Sequence, residues 1–167
     1  MMKTKEKKRS WMGKYGVPTL VLVIICILVT GALAFTYGIT APTIQKNLEE
    51  QERLAAAEVL GSIEGVALKS QVKSYGGKLQ AIVGISTKGE ITGVKVLSHT
   101  DTPGLGTQPM KVDYLKQYIG LTELNADHIN DDPAVDAVTG ATISSNAIYH
   151  AVQQALVEYK ESGGGQE

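Results

Sequence analysis

Nineteen consecutive residues, Val17 to Phe35 (VPTLVLVIICILVTGALAF), are almost wholly apolar, and no Asp, Glu, Lys or Arg occurs from Tyr15 to Gln45. At a rise of about 1.5 Å per residue such a run nearly crosses a hydrocarbon core of about 30 Å, so residues 15–39 read as a single transmembrane helix. Pro18 falls in its first turn, where a missing N–H costs little. A cleaved signal peptide is the competing account, with Ala32-Leu33-Ala34 as its cleavage site, but the run exceeds the usual apolar region of about 7–15 residues. A lipoprotein would need small residues before Cys26, where Val23-Ile24-Ile25 stand instead. Cys26 reads as a small apolar residue of the helix. As the lone cysteine it excludes an internal disulfide and an iron–sulfur cluster held by this chain alone.

The two signs of charge are separated along the chain. Ahead of the apolar run, Lys3, Lys5, Lys7, Lys8, Arg9 and Lys14 face only Glu6, a net of +5; behind it, ten basic residues face sixteen acidic ones, a net of -6. Short basic flanks stay on the cytoplasmic side, which places residues 1–14 inside and everything from about residue 40 outside.

Thr40-Ala-Pro42-Thr reads as a helix start, and the segment to Gly61 as a helical stalk (40–61) whose charges form a solvated face. Residues 62–161 then form one α+β domain. Val66–Tyr75, Leu79–Ser86 and Ile91–Ser98 alternate like strands of a mostly antiparallel sheet, with turns at Gly76-Gly77 and Gly89, although Gly93 disturbs the period. A short helix over 111–119 ends at Gly120, and 125–133 is a polar loop. In the last helix Ile143, Ala147, Ile148, Ala151, Val152, Ala155, Leu156 and Tyr159 share one face, predicting that this C-terminal helix packs on the sheet. Residues 162–167 read as a flexible tail.

Two short constellations carry chemistry. In His99-Thr-Asp-Thr-Pro-Gly-Leu-Gly-Thr107, Pro103, Gly104 and Gly106 make a loop whose backbone can approach a flat ligand closely. A solvent loop without a ligand is the plainer account. The spacing supports neither a dinucleotide fingerprint nor a P-loop. In Asp136-Ala-Val-Thr-Gly-Ala-Thr142, Gly140 and Ala141 clear space around the Thr142 hydroxyl. The helix start supplies Ser144, Ser145 and backbone N–H groups to an anion. An everyday N-cap reads the same way. His128 and His150 have no ligand partners at metal-binding spacing and are taken as structural or solvent-facing.

The second stretch resembles the Dxx(S/T)GAT sequence of FMN-binding domains modified by a flavin transferase, in which the last Thr carries FMN through a phosphoester. His99 to Gly106 resembles the H-x-E-T-P-G-L-G stretch of the G subunit of the Rnf ion-translocating electron-transport complex and of its relative, the C subunit of the sodium-pumping quinone reductase. Asp101 stands where that pattern has Glu. The resemblance implies covalent FMN on Thr142, with Thr139, Gly140, Ala141 and Ser145 around the phosphate. It also implies that Thr102, Pro103, Gly104, Leu105 and Gly106 border the ring. His99 and Asp101 either tune the flavin or form an ordinary surface pair.

The expected protein is therefore a single-pass flavoprotein of a prokaryotic cell membrane. Its domain lies outside, and it relays electrons among the membrane and cytoplasmic subunits of an Rnf-type complex that couples ferredoxin–NAD electron transfer to Na⁺ or H⁺ movement. A flavin transferase would be its maturation partner; no metal and no nucleic acid is expected. The quinone-reductase C subunit and a non-catalytic flavin-binding or assembly module are the alternatives.

Overall fold

The computed structural model describes residues 15–164, so the basic N-terminus (1–14) and residues 165–167 of the expected tail lie outside it. The chain divides into two compact units, Met1–Leu48 and Glu49–Glu167.

Helix α1 runs from Val17 to Leu60 without a break. The expected new start at Thr40 does not occur. A proline inside a helix deletes one rung of the ladder, here the bond from Pro42 to the carbonyl of Gly38, and leaves the rungs on both sides to carry the helix. Its 44 residues span roughly 66 Å, about twice a hydrocarbon core, so the apolar half alone is long enough for lipid. No part of its most apolar window is buried in protein, and it is the helix long and apolar enough to cross a membrane among the described residues. The hydroxyls of Thr19 and Thr36 donate to the carbonyls of Tyr15 (2.7 Å) and Ala32 (2.9 Å), so neither is left unpaired within the apolar stretch.

The second unit is built on a three-stranded antiparallel meander, β1 (Gly65–Ser74), β2 (Gly77–Ser86) and β3 (Ile91–Ser98), in the order β1-β2-β3. β1 and β2 pair without interruption from Gly65↔Ser86 to Ser74↔Gly77 around the turn residues Tyr75 and Gly76. Gly89, at φ +81°, makes the second turn. After β3 come a single α turn, α2 (Val112–Leu115), and a 3₁₀ turn over Lys116–Tyr118. The helix expected over 111–119 is thus tighter than a regular one, and it stops at Gly120, φ +86°. The polar loop holds one 3₁₀ turn, Ile129–Asp131. The final helix α3 spans Thr142–Glu161.

On one face of the sheet, Leu79, Ala81, Val83 and Ile85 of β2 pack against Ile148, Ala151, Val152, Ala155 and Leu156 of α3. Ile143 is the exception on the expected apolar face: it is 59 % exposed and lines a cleft at the start of α3. The opposite face is covered too. Ala55 and Val59, from the end of α1, bury against Ile82. Residues 40–61 are therefore not solvated throughout; charges such as Glu52 and Glu58 remain outside as ion-pair partners of Lys69 and Lys95. Gly84 and Gly93, partners in the β2–β3 ladder, admit this helix end. A Cβ on them would lie 2.7 and 2.9 Å from the Val59 carbonyl oxygen, which accepts a hydrogen bond from the Thr92 hydroxyl (2.6 Å). The break in alternation at Gly93 is thus a close helix–strand approach.

Candidate functional site

Two tight turns meet at the end of the domain where α3 begins. In the first, Pro103 and Gly104 take the corners, Gly104 at φ +83°, and the amides of Leu105 and Gly106 point back to the Thr102 carbonyl (3.4 and 3.1 Å). In the second, Ala141 N–H bonds the Val138 carbonyl (2.9 Å) around Thr139 and Gly140, with Gly140 at φ +82°. A positive φ at the third residue is the type II arrangement, which explains a glycine at each place. The turns touch: a Cβ on Gly140 would meet Leu105 Cδ1 at 3.7 Å.

Between them lies a cleft of about 400 Å³. Thr102, Leu105 and Gly106 wall it from the first turn, Gly140 and Ala141 from the second, and Thr142, Ile143 and Ser144 from α3; Tyr75 closes it from the β1–β2 hairpin. Its surface is mainly apolar, and its size falls within the roughly 300–1,000 Å³ typical of cofactor sites. Thr142 is the first residue of α3 and is exposed to the cleft. The amides of Thr142, Ile143 and Ser144 precede the first helical bond, from Ser145 N–H to the Ala141 carbonyl (2.9 Å). They form the positive end of a helix of twenty residues. A flat apolar ring fits the cleft, and a phosphate ester fits the exposed hydroxyl at its edge.

The expected site residues separate into those that line the cleft and those that build it. Thr102, Leu105, Gly106, Gly140, Ala141 and Thr142 line it. Pro103 and Gly104 shape the first turn, which is braced by the Gly104 amide on Thr107 Oγ1 (2.9 Å) and by Gln108 Nε2 on the Gly104 carbonyl (3.0 Å). Thr139 is a corner of the second turn. Ser145 is fully buried, and its hydroxyl accepts the Val138 N–H (3.1 Å), holding the turn from beneath. The backbone of Asp136 is held by α2 and its 3₁₀ extension. Its carbonyl accepts from Tyr114 (2.7 Å) and Gln117 (3.3 Å), and its N–H donates to Gln117 Oε1 (2.8 Å).

His99 and Asp101 do not form a surface pair. His99 is exposed, whereas Asp101 is only 4 % exposed. The Asp101 carboxylate accepts from the Ser74 hydroxyl, from the Gly76 N–H (2.5 Å) and from the Ser144 hydroxyl. Burial pushes its pKa up, but these three donors, helped by the charge of His99, outweigh burial and hold the carboxyl below the usual range. One side chain thus joins the end of β1, the hairpin and the first turn of α3. Gly106 permits this, since a Cβ there would sit 2.9 Å from Asp101 Cβ and 3.0 Å from Ser144 Oγ. Gly76 does the same at the hairpin, where a Cβ would lie 2.1 Å from the Thr100 carbonyl oxygen. The resemblance has Glu at this position, and here the shorter Asp reaches all three donors.

Tyr75 and Ile143 are cleft residues that the sequence pattern did not single out. The Tyr75-Gly76-Gly77 run reads as a turn and nothing more, and Ile143 fits the helical period of buried positions.

Comparison with known proteins gives the class of this domain. Residues 74–157 match the FMN-binding domain family, and the chain belongs to it. Among similar proteins is the G subunit of an ion-translocating oxidoreductase complex from Aliivibrio fischeri, 36 % identical over 115 residues that cover 62 % of this chain and 53 % of the relative. The protein of the same name from Shewanella baltica is 40 % identical over 89 residues, covering 49 % and 42 %. Its namesake from Methanosarcina acetivorans is 26 % identical over 167 aligned positions, covering 81 % and 89 %. The chain thus spans about half the length of the first two relatives and most of the third.

Proposed function

We propose that this chain is a membrane-anchored flavoprotein subunit that carries FMN covalently on Thr142 and relays electrons within an Rnf-type complex. The observation that carries the reading is the position of the Thr142 hydroxyl. It is exposed at the first residue of α3, on the edge of an apolar cleft, next to a turn kept clear of side chains by Gly140. FMN, when bound, supplies one- or two-electron exchange. The chain's own residues fix where that exchange happens. Thr142 tethers the phosphate end, the α3 amides offset part of its charge, and Leu105, Ile143 and Tyr75 keep water from the faces of the ring. Linkage through the phosphate leaves the ring unmodified, so the tether sets location more than reactivity. It also removes the dependence on free ligand concentration that a reversible complex has.

The wider assignment rests on the similarity to G subunits of ion-translocating oxidoreductase complexes. It comprises coupling of ferredoxin–NAD electron transfer to Na⁺ or H⁺ movement, partnership with the other subunits of the complex, and maturation by a flavin transferase. α1 serves as the anchor, with the N-terminus cytoplasmic and the flavin domain outside, following the basic flank. The test is expression of the full chain beside a flavin transferase, followed by denaturing electrophoresis under ultraviolet light. A fluorescent band present in the wild type and absent in Thr142→Ala is the expected result. A wild-type band without fluorescence, or fluorescence that persists in Thr142→Ala, overturns the reading.

A further inference from the structure

Thr142 borders two depressions. A second cleft of about 280 Å³, which shares Thr142 and Ile143 with the first, is also walled by Lys73, His128, Asn130, Asn146 and His150. Its wall differs from that of the first: beside Ile129, Ile143 and Ala147 it carries a lysine, two imidazoles and two amides in place of Tyr75 and Leu105. Lys73 is exposed, stands across the β1–β2 ladder from Lys78, and has no ion-pair partner among the described residues. Lys73 is thus the basic group of a cleft whose lining holds no carboxylate side chain, in a domain that is acidic overall.

The far wall is held by a chain of hydrogen bonds. Ile129 N–H donates to Asn146 Oδ1 (2.9 Å), which turns the Asn146 amide nitrogen toward His150 Nε2 (3.0 Å). His150 Nε2 is then the acceptor, so the ring proton sits on Nδ1 and faces Gln153 Oε1 (3.3 Å). The Gln153 amide donates in turn to the Leu124 carbonyl (2.9 Å). Both ring nitrogens of His150 are engaged in this chain, which leaves Lys73 and the exposed His128 as the groups able to meet an anion.

We propose that this second cleft is the anion half of the flavin-nucleotide site. Lys73, assisted by His128, binds the phosphate, while the first, apolar cleft takes the ring. The inference rests on the reading that Thr142 carries FMN. Before attachment FMN is a phosphate monoester with a charge of about -1.5 to -2, falling to about -1 in the diester on Thr142, whereas the helix end contributes only about half a positive charge. The apolar cleft has no cationic side chain in its wall. A lysine ammonium, a compact point charge with three donors, supplies the missing balance without restricting the approach of the nucleotide to the Thr142 hydroxyl.

The experiment compares FMN with riboflavin, which lacks the phosphate, on the full chain in detergent. Reversible binding is followed by flavin fluorescence in a Thr142→Ala background. FMN is expected to bind about tenfold more tightly than riboflavin, the effect of one hydrogen bond to a charged group. Adding Lys73→Gln should erase that preference while riboflavin affinity stays constant, and Lys73→Arg should retain most of it. Salt should weaken FMN alone. No preference for FMN with Lys73 present, a preference unchanged by Lys73→Gln, or an equal loss for both ligands overturns the proposal. A second measurement, on chains that keep Thr142 and are matured by a flavin transferase, separates the two readings. Covalent flavin in the wild type together with an FMN preference indifferent to Lys73 strikes the anion cleft and leaves the attachment site standing. No covalent flavin in the wild type strikes the attachment reading, and the FMN–riboflavin comparison still decides the cleft.

Discussion

Asp101→Asn should cost the domain about 2 kcal/mol. The carboxylate uses both oxygens, one toward Gly76 N–H and the other toward the Ser74 hydroxyl, with Ser144 as a third donor. Asparagine keeps one oxygen and turns an N–H₂ group toward a donor. At least one hydrogen bond to a charged acceptor is lost, worth about 1.5–3 kcal/mol. Rotation of the serine hydroxyls recovers part of this, which sets the figure in the lower half of the range. For a domain of this size the change should lower Tm by roughly 10 °C. The assay is thermal unfolding of the full chain in detergent, followed by near-ultraviolet circular dichroism of the domain tyrosines. Its pH dependence is the sharper check. The folded pKa lies below the ordinary 3.8, so the contribution is complete above that pH and disappears as pH falls through the folded value. The gap between wild type and Asp101→Asn should therefore be flat near neutrality and close below about pH 4. A variant that melts within 2 °C of wild type at pH 7, or a gap that widens on acidification, refutes the clamp.

The remaining expectations concern close approaches and the far side of the core. Gly106→Ala places a methyl 2.9 Å from Asp101 Cβ and should lose about 1–3 kcal/mol by the same melt, with slower flavin attachment at an unaltered Thr142. Gly140→Ala forces a left-handed φ of +82° on a residue with a Cβ, at a cost of about 1–2 kcal/mol, and should cut the yield of fluorescent band several-fold. Gly84→Ala would set a methyl 2.4 Å from Thr92 Oγ1 and 2.7 Å from the Val59 carbonyl oxygen, loosening the end of α1 from the sheet; faster proteolysis between Val59 and Glu64 is the readout. Tyr149 is pushed up to about 12 by burial and by its hydrogen bond to Asp132, so ultraviolet titration should find it protonated where exposed tyrosines ionise near 10. Its stabilising contribution should be complete below about pH 10 and lost as pH rises through about 12.

Periodicity was enough to read the last helix, whose buried side chains follow its own repeat, whereas the strands were legible from their apolar, β-branched runs between glycine turns, since β2 is buried without alternation over 81–86. Local pattern failed where a residue's environment is set by a partner distant in sequence. Asp101 is the clearest case: nothing adjacent to it shows that Ser74, Gly76 and Ser144 converge on its carboxylate, so a polar residue in a Pro-Gly loop reads as surface. The end of α1 is another. Ala55 and Val59 lie in a charged segment whose apolar side is narrow. What accommodates them is a pair of glycines on different strands, and that pairing exists only once the register of β2 and β3 is known. Pro42 misled in the opposite direction, since local preference favours a helix start and continuity of the ladder overrides it. The two glycine-containing stretches were legible, the first as a loop of close backbone approach and the second as cleared space around Thr142, but the cleft between them required Tyr75 from a third element.

These same three elements explain why a short hairpin belongs to the flavin site at all. α3 brings the Thr142 hydroxyl and the positive helix end, yet at its start Thr142 and Ile143 stay exposed while Ser144 and Ser145 are buried. Asp101 supplies the connection: by accepting from Ser144 it draws that turn toward the loop, and by accepting from Ser74 and Gly76 it draws the hairpin to the same point. Tyr75 and Lys73 are neighbours of those hairpin donors on the β1 side, and their surroundings differ, Tyr75 lining the apolar cleft and Lys73 the basic one. Loss of the Asp101 clamp should therefore act on both clefts together. In a Thr142→Ala background, Asp101→Asn should weaken FMN and riboflavin alike, whereas Lys73→Gln acts on FMN alone. If Asp101→Asn instead reduced FMN binding and spared riboflavin, its carboxylate would be acting on the phosphate end, and the argument that it organises the hairpin would fail.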